Sequence, residues 1–278
     1  MSQISPAFHS NARADLAGCY ARLNVRAQQR PTEAARRVRI AGQECGWVTQ
    51  AACDALRQLP SVSLSGATLD IMGEGTPSDE LNACLAHVAQ TLREAECLRG
   101  WRNELLDVST AQGAIGKIER AACRPLGLRT RAVHLNAWTP TGELWIARRA
   151  MSKSTDPGMW DTLVGGLVGA GEDPDLALVR ECAEEAGLSP DDIEHRSPLR
   201  TILRMHRQLP EGYQVEDLLV ADCVLADHIT PRNCDGEVSE IKAVTVAEAV
   251  AMVDAGAFTL EAALVVVEDI MRAGGRTG

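Results

Sequence analysis

The sequence predicts an α/β fold: an α/β/α sandwich around a mixed sheet, preceded by a small α+β unit. Three observations carry that expectation. A hairpin pattern fills residues 132–148, an acid-rich amphipathic helix follows it, and two helical runs close the chain. A length of 278 residues suits two modest domains. Their boundary is placed near residue 120, separating an N-terminal extension over 1–120 from a second domain over 121–278.

In the first unit, residues 11–29 read as helix. Residues 37–40 alternate as a strand, Ala41-Gly42-Gln43 turns, and residues 46–48 pair back. Residues 50–58 are helical, and residues 61–69 alternate as one strand. Over residues 78–98 the stripe Leu81, Leu85, Val88 and Leu92 has helical spacing. Residues 104–108 read as a short strand and residues 118–126 as a short helix.

The second unit opens with a strand over 132–138, a turn at Thr139-Pro140-Thr141-Gly142, and a return strand over 143–148. Residues 160–164 enter a glycine-containing loop as a strand. Residues 199–207 and 215–224 read as antiparallel strands, and residues 240–244 as one more. Residues 246–255 and 260–272 are helical.

Residues 166–188 read GLVGAGEDPDLALVRECAEEAGL. Asp173-Pro174 is a helix start, a capping carboxylate followed by a proline at the first helical position. Gly187 is a helix stop, since glycine takes a left-handed conformation cheaply. Leu178, Cys182 and Ala186 form an apolar stripe between them, with Ala183 beside it. Glu181, Glu184 and Glu185 stand at i, i+3 and i+4 and crowd one face. Like charges at that spacing cost roughly 0.2–0.5 kcal/mol per pair unless a cation sits among them. Magnesium or manganese is the expected occupant, because a hard cation takes carboxylate oxygen and bridges to phosphates. Arg180 cannot ligate a metal; a charge-assisted pair with Glu172 would hold the acids in place. A solvated acidic face explains a lone E-x-x-E-E, but not its register with Gly166, Glu172, Arg180 and Gly187.

Composition narrows the partners. The net charge of −10 argues against a nucleic-acid or anionic-membrane face. An anionic substrate would therefore need local cations. No stretch is apolar enough to span a membrane, and no secretory signal pattern is visible. Nine cysteines with no C-x-x-C spacing suggest reduced thiols and a cytoplasmic setting. Cys182 fits packing better than nucleophilic work.

The spacing Gly166, Glu172, Arg180-Glu181, Glu184-Glu185, Gly187, with apolar Leu188, resembles the Nudix box. Seven specified residues recur by accident with odds on the order of one in a million. The resemblance implies metal-assisted hydrolysis of a diphosphate. Further segments resemble the branch associated with thiamine pyrophosphokinase in fungi. They are Gly100-Trp101-Arg102-Asn103-Glu104, residues 118–122, residues 133–136 and 146–149, Lys153, residues 157–161, and Asp235-Gly236-Glu237-Val238. Gly256-Ala257-Phe258 and residues 262–265 extend that likeness to the tail. This layer implies thiamine diphosphate derivatives, such as oxo- or oxythiamine diphosphate, converted to monophosphates. Trp160-Asp161 departs from the branch and puts the ring preference in doubt. The alternatives are an ADP-ribose or nucleotide-sugar pyrophosphatase, a non-catalytic binding module, and an isopentenyl diphosphate isomerase.

By this resemblance Glu181, Glu185 and the Gly166 carbonyl hold Mg²⁺ or Mn²⁺, with Glu184 close by. Glu184 and Glu237 are the candidates for the base, with Glu240 behind them. Arg148, Arg149 and Lys153 are candidate phosphate contacts, against the alternative of a solvated strand end. His134 and Asn136 are candidates to line a pocket, and Trp101 and Trp160 to stack on a ring. Core packing competes for each of these. Assembly is left open, a homodimer included.

Overall fold

The computed structural model describes residues 6–273, with side chains from Asp15 onward. A helix, α1 (Pro6–Arg26), comes first. Strands β1 (Arg36–Ile40) and β2 (Gln43–Val48), helix α2 (Gln50–Leu56), strands β3 (Val62–Ser65) and β4 (Thr68–Ile71), and helix α3 (Ser78–Glu94) follow. The four strands form one sheet in the order β2-β1-β4-β3, in which β1 and β4 run parallel. Leu81, Leu85, Val88 and Leu92 of α3 are buried against Val38, Ile40, Leu69 and Ile71, as their helical spacing requires. A hairpin, β5 (Leu105–Thr110) and β6 (Gly113–Glu119), completes this layer.

The second sheet contains β7 (Arg129–Trp138), β8 (Leu144–Arg149), β9 (Trp160–Thr162) and β10 (Val164–Leu167). It continues with β11 (Arg200–Leu209), β12 (Gly212–Val224) and β13 (Val238–Val244). Seven strands join in the order β11-β12-β7-β8-β13, with β10 on β7 and β9 on β8. The sheet is mixed, because β12 runs parallel to β7 while the other pairs are antiparallel. Alternation along β7 sends successive side chains to opposite faces. Val133, Leu135 and Ala137 pack with Ala177, Leu178, Cys182 and Ala186 of α4 (Pro174–Ala186). Ala132 joins the other core, with α5 (Val246–Asp254) and α6 (Leu260–Ala273). The result is the α/β/α sandwich the sequence predicts.

Several expectations change in detail. Residues 61–69 are not one strand, since the chain reverses at Gly66 (φ 61°) to make the β3–β4 hairpin. Residues 118–126 are not a helix. Ile118 and Glu119 end β6, and only residues 120–122 make a single 3₁₀ turn. The helix over 78–98 stops at Glu94, because Glu96 turns left-handed (φ 56°). Residues 160–164 divide into β9 and β10, which pair with different neighbours. Helix α1 packs on α6 rather than within the first unit, burying Cys19 and Leu23 beside Ala262, Val266 and Ile270.

Candidate active site

The loop into α4 and the strand beneath it build one corner of the site. Asp173 caps α4 by accepting from Asp175 N at 2.9 Å, and Pro174 fills its first position. Gly187 closes it at φ 64°. The helix therefore starts and stops at fixed points, which sets the direction of its acids. Gly166 lies under Glu181, and a Cβ there would overlap the Glu181 carboxyl group. Only glycine lets that carboxylate reach the backbone of β10.

Arg180 organises the acids from the side. Its Nε and Nη2 donate to the two Glu172 oxygens at 2.8 and 2.9 Å, a bidentate pair. Its Nη1 donates to Glu181 at 2.8 Å and Glu184 at 3.1 Å, and Nη2 also reaches the Leu167 carbonyl. Glu172 accepts in addition from Gly169 N at 2.8 Å, and the arginine holds its pKa below the usual carboxylate range. One guanidinium thus ties the glycine loop to the helix. Glu184 remains half exposed.

Glu185 is the buried member of the set. Its Oε2 accepts from Gly165 N at 2.9 Å, and burial pushes its pKa up to about 8. Burial also raises Glu181, against the pull of Arg180. Oxygens of Glu185, Asp235 and Glu237 all lie within 4.8 Å of one another. Asp235 was not among the residues expected at the site. It sits in a turn where Gly236 has φ 80° and Glu237 N donates to Asp235 at 2.8 Å. The string Asp-Gly-Glu was visible in the sequence, but only folding brings that turn to α4.

A buried, incompletely bonded carboxylate beside two further acids, next to a glycine cradle, fits a hard divalent cation. Glu185, Asp235 and Glu237 are the side chains whose oxygens could share such an ion, and Glu181 lies next to them at the Gly166 cradle. Burial works against the charge on Glu237, but the Lys153 ammonium in contact with it prevails and keeps its pKa low.

Glu237 and Gly166 open into a cavity of about 340 Å³. His134, Arg149, Lys153, Gly166 and Glu237 line it. His134 is buried, with Nδ1 3.1 Å from Thr162 Oγ1, and burial lowers its pKa. Arg149 donates to Asp161 at 3.0 Å and to the Thr155 carbonyl. Other candidates lie elsewhere. Asn136 is buried on the α6 side and donates to the Val265 carbonyl at 3.4 Å. Arg148 turns to the Gly158 carbonyl and to Glu240, 3.8 Å away. Trp160 is covered by Arg148 and Lys242, whose charges stand 5.9 and 4.4 Å from its ring centre. Trp101 packs under Arg93 at 4.7 Å and donates to Asn103. Neither tryptophan lines the cavity. Each of these side chains has found a local partner, an outcome that spacing in sequence does not reveal.

Residues 128–264 match the NUDIX domain, and residues 17–130 match a domain of unknown function, DUF4743. The chain therefore carries a domain of the Nudix family. It is similar to Nudix hydrolase 20, chloroplastic, of Arabidopsis thaliana, with 32% identity over 214 residues. That match covers 74% of this chain and 56% of the relative. Nudix hydrolase 24, chloroplastic, of the same plant is 32% identical over 199 residues, covering 69% of this chain and 54% of the relative. The chain thus spans little more than half the length of these curated relatives. The solved structure of DR0079 from Deinococcus radiodurans aligns with 27% identity and a TM-score of 0.44, over 62% of this chain and 98% of that one.

Proposed function

We propose that the chain is a pyrophosphohydrolase that uses Mg²⁺ or Mn²⁺ to split the diphosphate of a small molecule. One observation carries this reading: Glu185, Asp235 and Glu237 bring carboxylate oxygens within 4.8 Å of one another, Glu181 packs on Gly166 beside them, and Gly166 and Glu237 line a cavity that also holds Arg149 and Lys153. When bound, the metal would neutralise the diphosphate and acidify a water. The chain's own groups do the rest. Arg180 and Glu172 fix the box acids, and Lys153 and Arg149 face the phosphates. Glu184 or Glu237 takes the proton from the attacking water. His134, neutral and buried, orients substrate without adding charge. Cys182 has no part in the chemistry, because burial keeps its thiol protonated.

The substrate class we propose is a thiamine diphosphate derivative. Sequence resemblance supports it, and so does the cavity's far side. Gln214 Oε1 is a buried acceptor without a hydrogen-bond partner among the described residues, and Glu261 Oε2 is buried with only Arg207 Nη1, 3.5 Å away, beside it. Both side chains line the cavity beside Glu216. Acceptors in that position suit a heterocycle that carries amino groups or positive charge. The cavity volume sits at the low end for small-molecule sites, which favours a compact substrate over a nucleotide sugar. The same proposal divides the chain near residue 120, counts α1 with the second unit, and places the protein in the cytoplasm. It leaves a homodimer open.

The test compares oxythiamine diphosphate with ADP-ribose, with and without Mg²⁺. Metal-dependent release of oxythiamine monophosphate at the higher kcat/KM is expected. Faster cleavage of ADP-ribose overturns the substrate class, and no metal-dependent cleavage of either overturns the hydrolase. The Glu185→Gln variant is expected to lose more than about 100-fold in turnover, beyond the loss typical of outer-shell partners.

A further inference from the structure

The cavity is lined from two sides, and one side belongs to the first unit. Arg102 and Arg120 of that unit, with Arg124 just beyond its boundary, line the cavity together with Lys153, Gly166 and Glu237. Most cations on this wall are already matched. Arg120 donates to Glu104 at 2.7 Å, and Arg124 contacts Glu211 while donating to Thr155 Oγ1 at 3.0 Å. Arg149 pairs with Asp161, and Lys153 with Glu237. Arg102 differs. Its Nη2 donates to the Ser154 hydroxyl at 2.5 Å, and it has no carboxylate partner among the described residues.

The backbone around Arg102 is built to hold it there. Gly100 (φ 83°) and Asn103 (φ 56°) are both left-handed, a conformation that glycine and asparagine adopt more readily than other residues. The buried Glu119 carboxylate accepts from Arg102 N at 2.8 Å and from Ala121 N at 3.3 Å. One carboxylate therefore fixes the segment bearing Arg102 and the turn bearing Arg120. Both arginines line the cavity that Glu237 also lines, so the first unit brings positive charge to a wall it shares with the second.

We propose that the first unit completes the active site as its anion-binding wall, with Arg102 as the guanidinium that takes the diphosphate oxygens. This rests on the hydrolase reading above. A diphosphate entering a protein of net charge −10 needs a counter-charge that is not already neutralised. Arg102 supplies it through a planar fork of donors matched to phosphate, of which only one nitrogen is in use. Ser154 holds the fork on the loop before β9, so binding joins the two units around the ligand. The matched arginines, Arg120 and Arg124, shape the wall and fix its position.

The test is calorimetric titration of inorganic diphosphate with Mg²⁺ into the full chain and into Arg102→Gln. Arg37→Gln, which removes another exposed arginine of the same unit, one paired with Glu44, is the control. A fold loss is read separately by thermal melting. The expected result is a loss in affinity of about tenfold or more for Arg102→Gln and unchanged affinity for Arg37→Gln. In turnover, KM for the best diphosphate substrate rises by a similar factor. Wild-type affinity in Arg102→Gln overturns the proposal, and so does an equal loss in both variants, which would indicate a general field. Binding that depends on Arg102 in a protein that hydrolyses no diphosphate leaves this proposal standing and removes the hydrolase reading. Turnover that depends on Glu185 but is indifferent to Arg102 does the reverse.

Discussion

Gly166 and Arg180 carry the account at the residue scale. A methyl group at Gly166 meets the far end of a flexible glutamate, not backbone, so the fold yields cheaply while the Glu181 carboxylate is driven off its seat. Gly166→Ala is therefore expected to melt within a few degrees of wild type and to bind Mg²⁺ and turn over substrate poorly. A large drop in melting temperature with intact turnover would contradict the cradle. Arg180→Lys keeps the charge and loses the fork that holds Glu172. Turnover should fall roughly 10–100-fold, with the Mg²⁺ concentration at half-maximal rate moving upward. Both residues were legible in the sequence because the box fixes their spacing. Asp235 was not, since its part depends on a turn that lies far from α4 in sequence. Trp160 and Arg148 misled for the opposite reason: they satisfy each other.

At the scale of elements, capping and periodicity were sound guides. Helix α4 begins and ends where Asp173, Pro174 and Gly187 place it, and the stripe on α3 faces its sheet. What the sequence concealed were reversals of direction. Gly66 breaks an alternating run into a hairpin, and a helical-looking stretch after Ile118 is a strand that runs into a single turn. Alternation does not record where a chain doubles back. The β1–β2 hairpin docks on the segment after that turn through Gly46, whose Cβ would overlap the Leu126 and Gly127 carbonyls. Backbone cannot swing aside, so Gly46→Ala should destabilise by about 1–3 kcal/mol, measured by denaturant unfolding. Helix α6 gives a pH test. Burial, with Asp222 beside it, raises Asp269 to about 6, while Trp138 Nε1 donates to it at 2.9 Å. A raised carboxyl contributes fully below its ordinary pKa and loses that contribution as pH rises through about 6. The stability of wild type relative to Asp269→Asn should therefore decline between pH 4 and pH 7. A flat difference would contradict the burial argument.

For the whole molecule, the decisive fact is that the cavity has walls from both units. The sandwich was legible from the order of its elements. The wall was not, because Arg102 and Arg120 stood only as parts of two resembling segments, and nothing joins those segments to the box until β5, β6 and the loop before β9 are brought together. The placement of α1 on α6 was hidden likewise, and it ties the start of the chain to its last helix. No helix among the described residues is long and apolar enough to cross a membrane. The central claim is that the box acids gather a divalent cation where the diphosphate is cut. Anomalous diffraction from crystals soaked in Mn²⁺ tests it most directly. The account predicts a peak among Glu181, Glu185, Glu237, Asp235 and the Gly166 carbonyl. A peak elsewhere, or none at a concentration that supports turnover, would contradict it.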